Sequence, residues 1–178
     1  MATFISRSPE ETQALGEQWG KAATPGLVIG LTGDLGAGKT ELVKGIARGL
    51  GATSPVRSPT FALVHEYTGG RVPLFHLDLY RLESRAQILG AGLEEYFNSP
   101  PGVTVIEWVE RLGALEPAIK EPGAPDLAGV GRAVPCAPPK PVTLGAQGTA
   151  RRTSGWRQVR IETLGENERR IIYDDFGA

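Results

Sequence analysis

The chain is poor in the residues that make disulfides, metal clusters and membrane spans. Its 178 residues contain one cysteine, Cys136, and two histidines. A single cysteine excludes an internal disulfide and a multi-cysteine metal site, which is typical of proteins from a reducing compartment. No apolar run approaches the ~18 residues that a membrane-spanning helix needs, and the N-terminus lacks the apolar segment of a secretory signal. These absences predict a soluble, cytoplasmic protein that does not enter a membrane.

An excess of charge of one sign is also missing. The formal net charge is −1, so no global basic field points to nucleic acid as a direct ligand. The hydrophobic fraction of 40% and the charged fraction of 22% are ordinary for a globular protein. The length predicts one domain that spans residues 1–178.

Residues 117–150 differ in composition from the rest of the chain. They hold seven prolines and five glycines and show no hydrophobic period. This composition is typical of low-complexity or disordered segments. We therefore predict a disordered insertion that carries Cys136. The arginines that follow predict a local basic patch, either a solvated surface or a contact with RNA phosphates; they are Arg151, Arg152, Arg157 and Arg160.

One motif is strong: residues 33–40 read G-D-L-G-A-G-K-T and match the P-loop pattern at every fixed position. An apolar strand pattern at 27–32 precedes the motif, and an amphipathic helix pattern at 41–50 follows it. The first N–H groups of such a helix have no intrahelical partner and bind anions. Lys39 is expected to reach the β- and γ-phosphates of a nucleotide, and the Thr40 hydroxyl to ligate magnesium. The predicted nucleotide-binding residues here are Gly33, Asp34, Leu35, Gly36, Ala37, Gly38, Lys39, Thr40 and Glu41.

The remaining pattern predicts an α/β fold, a P-loop NTPase-like three-layer domain with a mixed central sheet and a C-terminal β-hairpin. The sheet is expected to be mixed because two neighbouring strand patterns are joined by a Gly-Gly turn, which favours an antiparallel pair. The predicted elements are a helix capped by Ser8 that runs to about Lys21, strands at 61–67, 72–80 and 103–106, short helices at 84–89 and 93–97, and a closing hairpin of 158–164 with 169–173.

Three further residues can complete a phosphate and metal site. Glu107 ends an apolar strand, the form of the second nucleotide-site motif, whose acid lies beside magnesium. Thr60 lies in an irregular loop before a strand, where a hydroxyl can move onto magnesium when a γ-phosphate is present. Asp78 lies inside an apolar strand, so it either pairs with an arginine or serves the metal or water, because a buried unpaired carboxylate is costly. The alternatives are a turn threonine, a structural Asp–Arg pair and a strand-end charge.

Four motifs in this order and spacing resemble the TsaE ATPases, which act in bacterial synthesis of threonylcarbamoyladenosine in tRNA. They are G-D-L-G-A-G-K-T, S-P-T-F-x-L-V-x-E-Y, H-x-D-L-Y-R-L and I-E-W. The resemblance covers about residues 8–115 and the last hairpin, whereas the Pro/Gly-rich insertion departs from the compact family pattern.

The resemblance also implies roles for individual residues. Thr40 and Glu107 would hold magnesium directly or through water, and Thr60 would be the switch threonine. Asp78 would be a catalytic or metal-associated acid, and Trp108 would shape the nucleotide site. The implied partners are TsaB and TsaD, with tRNA reached indirectly through their complex.

We therefore expect a protein that binds ATP with Mg²⁺, has weak ATPase activity, and is required with TsaB and TsaD for the tRNA modification. Lys39, Asp78 and Thr60 are the predicted catalytic residues: Lys39 stabilises phosphate charge, and Asp78 or Thr60 positions the attacking water. No residue is typical of an arginine finger, which is often worth ~10³ or more in rate, so activation by partners is expected.

Two other functions use the same motif. One is a small-molecule kinase, a phosphotransferase that shares the P-loop. The other is a non-catalytic interaction module whose bound nucleotide only controls its shape. A guanine-specific GTPase is disfavoured because the chain has no N-K-x-D or T-K-x-D motif. His65 and His76 are predicted to be strand residues and not metal ligands.

Overall fold

The computed structural model describes residues 1–98, 100–113 and 155–176. The predicted insertion at 117–150, with Cys136, and the predicted basic residues Arg151 and Arg152 lie outside the described residues. None of the helices in the described residues has both the length and the hydropathy of a membrane-spanning segment.

Seven strands and three α-helices make up the regular structure of those residues. The strands are β1 (Ala2–Ser6), β2 (Val28–Thr32), β3 (Val64–Tyr67), β4 (Leu74–Asp78), β5 (Val103–Glu107), β6 (Trp156–Thr163) and β7 (Arg169–Phe176). The helices are α1 (Pro9–Ala22), α2 (Lys39–Leu50) and α3 (Arg85–Gly90), and two 3-10 helices lie at Leu93–Tyr96 and Val109–Leu112.

The strands form one mixed sheet in the order β1-β7-β6-β2-β5-β4-β3. The central strands β6, β2, β5 and β4 run parallel, whereas β3, β7 and β1 pair antiparallel at the two sides. The predicted α/β fold with a mixed sheet and a C-terminal hairpin is therefore confirmed. Strands β4 and β5 are buried along their whole length, as expected for parallel strands covered on both faces.

Helices cover both faces of the sheet centre. On one face, Ile29 of β2, Ile46 of α2 and Trp19 of α1 belong to one buried cluster. On the other face, the side chain of Val109 packs against Gly30 of β2, where an added Cβ would overlap it. This arrangement gives the predicted three layers around β2 and β5.

Helices α1 and α2 touch through their backbones. A Cβ added to Gly16 or Gly20 of α1 would overlap a carbonyl oxygen of α2. A Cβ added to Gly45 or Gly49 of α2 would likewise overlap the carbonyl of Gln13 or Glu17 in α1. Such close contact needs residues without side chains, and it fixes α2 against its neighbour. The N-terminus of α2 is the anion-binding end of the predicted P-loop, so this contact helps to position the site.

Two details differ from the sequence-based expectation. Strand β1 was not expected; it is five residues long and pairs with β7 at the other end of the chain, a contact without a local sequence signal. The strand expected from Phe61 begins at Val64, because the carbonyl of Pro59 accepts hydrogen bonds from the N–H groups of Ala62 and Leu63 and makes a turn. The short helices at 84–89 and 93–97 are present as α3 and the first 3-10 helix.

We expect Gly45→Ala to lower the free energy of unfolding by about 1–3 kcal/mol, the usual cost of over-packing. The added methyl group would overlap the Gln13 carbonyl, which belongs to the backbone of α1 and cannot move by rotating a side chain. Urea unfolding measures the change. The control is Gly90→Ala in α3, where nothing lies within 4 Å of the added Cβ. Because alanine favours helix, the control should be neutral or stabilising, and equal losses in both variants would contradict the overlap.

Candidate functional site

The turn between β2 and α2 has the backbone of an anion site. Gly38 precedes the first residue of α2 with φ 100°, and Gly33 begins the turn with φ 139°. Residues that carry a side chain rarely adopt either backbone conformation, and a Cβ at Gly33 would also overlap the carbonyl of Ile161. The glycines therefore let the chain enter α2 with its unpaired first-turn N–H groups facing the turn.

Lys39 is a buried cation inside this turn. The whole residue is only 5% exposed. The Nζ atom donates hydrogen bonds to the carbonyls of Gly33 at 2.6 Å and Asp34 at 2.8 Å, and it lies 3.8 Å from the centre of the Trp108 ring. Burial lowers the pKa of Lys39 below its usual value, although the nearby carboxylates, Glu107 first among them, act in the opposite direction. The ammonium group thus lies in a largely desolvated environment, where its electrostatic attraction for a nearby anion is stronger than in water.

Glu107 connects the P-loop helix with the neighbouring strand. Its Oε1 atom accepts a hydrogen bond from the Thr40 hydroxyl at 2.8 Å. The same oxygen lies 2.9 Å from Nε2 of His76 in β4. Sequence reasoning brought Thr40 and Glu107 together as magnesium ligands, and the structure places them in direct contact. His76 was predicted only as a strand residue, which it is.

Asp78 forms a second cluster with hydroxyl groups. Its Oδ2 accepts from the Thr60 hydroxyl at 2.5 Å and from the Ser58 hydroxyl at 3.0 Å, and its Oδ1 accepts from the Tyr80 N–H at 3.0 Å. Among the described residues, hydroxyls and an amide satisfy this buried carboxylate, and no arginine pairs with it. Ser58 had not been expected at the site.

The sheet register places the two acidic clusters side by side. Asp78 and Glu107 are paired in the parallel ladder of β4 and β5, each at the C-terminal end of its strand. Trp108 follows Glu107 with φ 61°, and its ring lies 5.2 Å from that of Tyr80. In open α/β sheets, ligands bind outside the carboxyl ends of the strands. The predicted catalytic and metal residues therefore gather at the expected edge, next to the P-loop.

Two other predicted residues lie at or beyond the border of this cluster. Leu35 is 78% exposed on the outside of the turn. The Glu41 carboxylate turns towards α1 and accepts from Gln13 and Lys44, each at 2.6 Å. Burial acts to raise the pKa of Glu41, but these hydrogen bonds outweigh it and leave the pKa lowered. Any contact of Glu41 with a nucleotide is therefore expected from its backbone.

The described members of the predicted basic patch do not share a surface. Arg157 pairs with Asp175, and Arg160 pairs with Glu162. Being three residues apart in β6, the two arginines point to opposite faces of the sheet. This part of the predicted patch is therefore wrong, because side chains along a strand alternate between the two faces of the sheet.

Arg169 joins the closing hairpin to the P-loop and was not foreseen. Its Nε donates to the carbonyl of Ala37 at 3.1 Å, and its Nη1 donates to the carbonyls of Gly165, Glu166 and Glu168 in the hairpin turn. The contact with Ala37 spans 132 positions of the chain, so no local pattern signals it.

An open groove of about 630 Å³ adjoins the P-loop turn, and its lining includes Gly33, Asp34, Trp108 and Arg160. Its size is typical of small-molecule sites.

Comparison with known proteins agrees with these motifs. The sequence model of the family described as "Threonylcarbamoyl adenosine biosynthesis protein TsaE" matches residues 6–124. A tRNA threonylcarbamoyladenosine biosynthesis protein TsaE from Nostoc sp. is 53% identical over 115 residues, which cover 63% of this chain and 70% of the relative. The protein of the same name from Bacillus subtilis is 50% identical over 105 residues, which cover 59% and 65%.

A solved structure is also similar. The crystal structure of Bacillus subtilis YdiB superposes with a TM-score of 0.65 and is 29% identical. The match covers 99% of this chain and 86% of the YdiB chain. Lys39, Thr40, Thr60, Asp78 and Glu107 all lie within the residues that match the family.

We expect the stability of the nucleotide-free protein to depend on pH through Lys39. Because the pKa of Lys39 is lower in the folded state than its ordinary value, the unfolded chain binds this proton more tightly. Raising the pH from the lowered pKa of the folded state towards the ordinary pKa of lysine therefore favours folding. The free energy of unfolding of the wild type, relative to Lys39→Met, should rise between about pH 7 and pH 10. Urea titrations at both pH values measure the difference.

The matched control is Lys44→Met on the next turn of α2. The Lys44 side chain is 40% exposed, and its ammonium pairs with Glu41. This variant removes a lysine without removing a buried charge, so it should not reproduce the rise. A flat or falling difference for Lys39→Met would show that burial does not weaken the charged form.

Proposed function

The chain belongs to the TsaE family of threonylcarbamoyl adenosine biosynthesis proteins, and on this premise we propose that it binds ATP with magnesium and hydrolyses the ATP slowly. One observation supports the proposal above all others. The P-loop threonine contacts an acidic strand end, with Thr40 Oγ1 only 2.8 Å from Glu107 Oε1, and the neighbouring P-loop lysine, Lys39, is buried. That combination is what a phosphate and magnesium site requires.

The donor atoms suit magnesium. Mg²⁺ prefers oxygen ligands and is usually held by one or two carboxylates together with substrate phosphates. The Thr40 hydroxyl and the Glu107 carboxylate are such ligands. Within the described ranges, no group of three or more His, Cys, Asp or Glu side chains converges as a self-sufficient metal site. A metal at Thr40 and Glu107 would thus depend on the nucleotide, and when bound it would neutralise charge on the phosphate oxygens.

Lys39 supplies the second cationic contact. Its ammonium now donates to two carbonyls of its own turn, Gly33 and Asp34. Phosphate oxygens would replace these carbonyls as acceptors or share the ammonium with them. A charge-assisted hydrogen bond to a phosphate is stronger than one to a carbonyl. The site is prepared in advance because the turn carbonyls and the Trp108 ring already hold the side chain in place.

Asp78 and Thr60 are the proposed water-positioning pair. The carboxylate holds the Thr60 hydroxyl at 2.5 Å, and the turn at Pro59 sets the threonine backbone. Thr60 lies in a loop and not in a strand, so its hydroxyl can exchange Asp78 for a metal or water when a γ-phosphate enters. Asp78 would then be free to orient the attacking water.

Weak activity alone is part of the proposal. Among the described residues near the P-loop, Arg169 is engaged with four backbone carbonyls. It is therefore not available as an arginine finger, whose contribution is often ~10³ or more in rate. We propose that TsaB and TsaD are the partners that raise turnover in the cytoplasm, where tRNA is modified, and that tRNA is reached through their complex.

Replacing Lys39 by alanine is expected to weaken ATP binding about 10- to 100-fold, because a charge-assisted contact of ~1.5–3 kcal/mol is lost. Titration of a fluorescent ATP analogue with magnesium measures the affinity. Lys44→Ala, on the same helix but paired with Glu41, is the control and should bind like the wild type. Equal affinity of both variants and the wild type would refute the P-loop assignment. Transfer of the γ-phosphate to a small-molecule acceptor, instead of release as phosphate, would favour a kinase.

Thr60→Val is expected to slow ATP hydrolysis about 10²-fold, the scale of losing the position of a reacting group, while nucleotide affinity changes little. The valine keeps the volume of threonine but cannot donate to Asp78. Phosphate release, measured with and without TsaB and TsaD, gives the rate. Thr60→Ser keeps the hydroxyl and should retain most of the activity. If the serine variant is as slow as the valine variant, the hydroxyl is not the active group.

A further inference from the structure

His76 is a fully buried histidine that the proposed reaction does not use. It lies in the middle of β4, where its register neighbours are Val105 on one side and His65 on the other. Its Nε2 atom lies 2.9 Å from Oε1 of Glu107. That is the same oxygen that accepts from the Thr40 hydroxyl at 2.8 Å.

The other ring nitrogen of His76 makes this residue unfavourable for stability at a core position. Nδ1 is buried and has no hydrogen-bond partner among the described residues. A buried polar atom that is left without a hydrogen bond destabilises the folded state. Its register neighbour Val105 in β5 is a fully buried apolar residue, so packing alone does not explain a histidine here. Since a carboxylate can only accept when ionised, the contact with Glu107 places the imidazole proton on Nε2. The unpaired Nδ1 is thus the cost of having a donor that faces Glu107.

We propose that His76 is a positioning residue of the magnesium site, which holds the Glu107 carboxylate against Thr40 through the Nε2–H···Oε1 hydrogen bond. This inference rests on the proposed function, because it concerns the same metal. A glutamate side chain has several rotatable bonds, and a single contact with Thr40 leaves its carboxylate free to turn. A second donor on the neighbouring strand removes that freedom. Partners of this kind behind a metal ligand typically change metal affinity about 10- to 100-fold.

The chain offers a matched control in the adjacent strand. His65 is paired with His76 in the β3–β4 ladder. Its Nδ1 lies 3.3 Å from the Arg57 carbonyl and 3.3 Å from the Tyr67 hydroxyl, at the outer edge of the sheet. His65→Gln therefore changes a histidine of the same hairpin without touching Glu107.

Two substitutions of His76 separate its donor from its shape. His76→Phe keeps a planar ring of similar size and removes the donor. His76→Gln changes the shape but keeps a side-chain N–H. The experiment titrates Mg²⁺ into each variant in the presence of a fluorescent ATP analogue. It also measures affinity for the analogue in EDTA, and thermal unfolding without nucleotide.

We expect His76→Phe to raise the Mg²⁺ concentration for half-maximal binding about 10- to 100-fold, with unchanged affinity for the analogue in EDTA. His76→Gln and His65→Gln should stay near the wild-type value. A purely structural role makes the opposite forecast, in which His76→Phe behaves like the wild type and His76→Gln is impaired; that result would overturn the proposal. Should His76→Phe fail to fold, His76→Gln still decides, because a tenfold loss of Mg²⁺ affinity in that variant contradicts a donor role.

Failure of the proposed function looks different. If wild-type binding of the analogue shows no response to Mg²⁺, or if no binding occurs at all, then the magnesium site itself is refuted and the inference on His76 falls with it. If the wild type responds to Mg²⁺ and His76→Phe responds equally, only the role of His76 is refuted.

Discussion

The carboxylate of Glu107 is the contact on which the arrangement of the site depends. It is almost completely buried, at 4% exposure, and an unpaired buried charge would cost several kcal/mol. The fold satisfies it from two sides, with Thr40 from the P-loop helix and His76 from the neighbouring strand. One oxygen atom thus ties together α2, β4 and β5. The same requirement that keeps the charge stable also brings the threonine of the phosphate loop to the acid of the strand.

A similar constraint governs Asp78 one strand away. The side-chain hydroxyls of Ser58 and Thr60 satisfy this carboxylate, and both belong to a loop that turns on the carbonyl of Pro59. Because Ser58 and Thr60 lie in a loop, whereas Thr40 lies in a helix and His76 in a strand, this cluster is easier to rearrange than the one at Glu107. The two neighbouring acids therefore differ in character: Glu107 is fixed between a helix and a strand, and Asp78 faces a loop. That contrast supports the proposal that Glu107 is a metal ligand and that Asp78 responds to the nucleotide.

The phosphate loop itself is supported from two distant parts of the chain. Close backbone contact with α1, through the glycines of both helices, fixes the position of α2. Arg169 at the start of β7 holds the carbonyl of Ala37 inside the loop. The closing hairpin is therefore more than an edge of the sheet, since one of its residues contacts the P-loop. Membership of the TsaE family accounts for the motifs, and these packing contacts account for why the motifs meet.

The P-loop, the helix capped by Ser8, both hairpins and the mixed character of the sheet could be predicted from sequence, because each of these predictions depends on residues close together in the chain. The sequence also singled out Thr40, Thr60, Asp78 and Glu107. Which groups these residues contact became apparent from the folded chain alone. A strand pattern tells which side chains share a face, but not which strand lies alongside or in what register. The pairing of β1 with β7, the hydroxyl partners of Asp78 and the contact of His76 with Glu107 all depend on that register, so they emerged only from the folded chain.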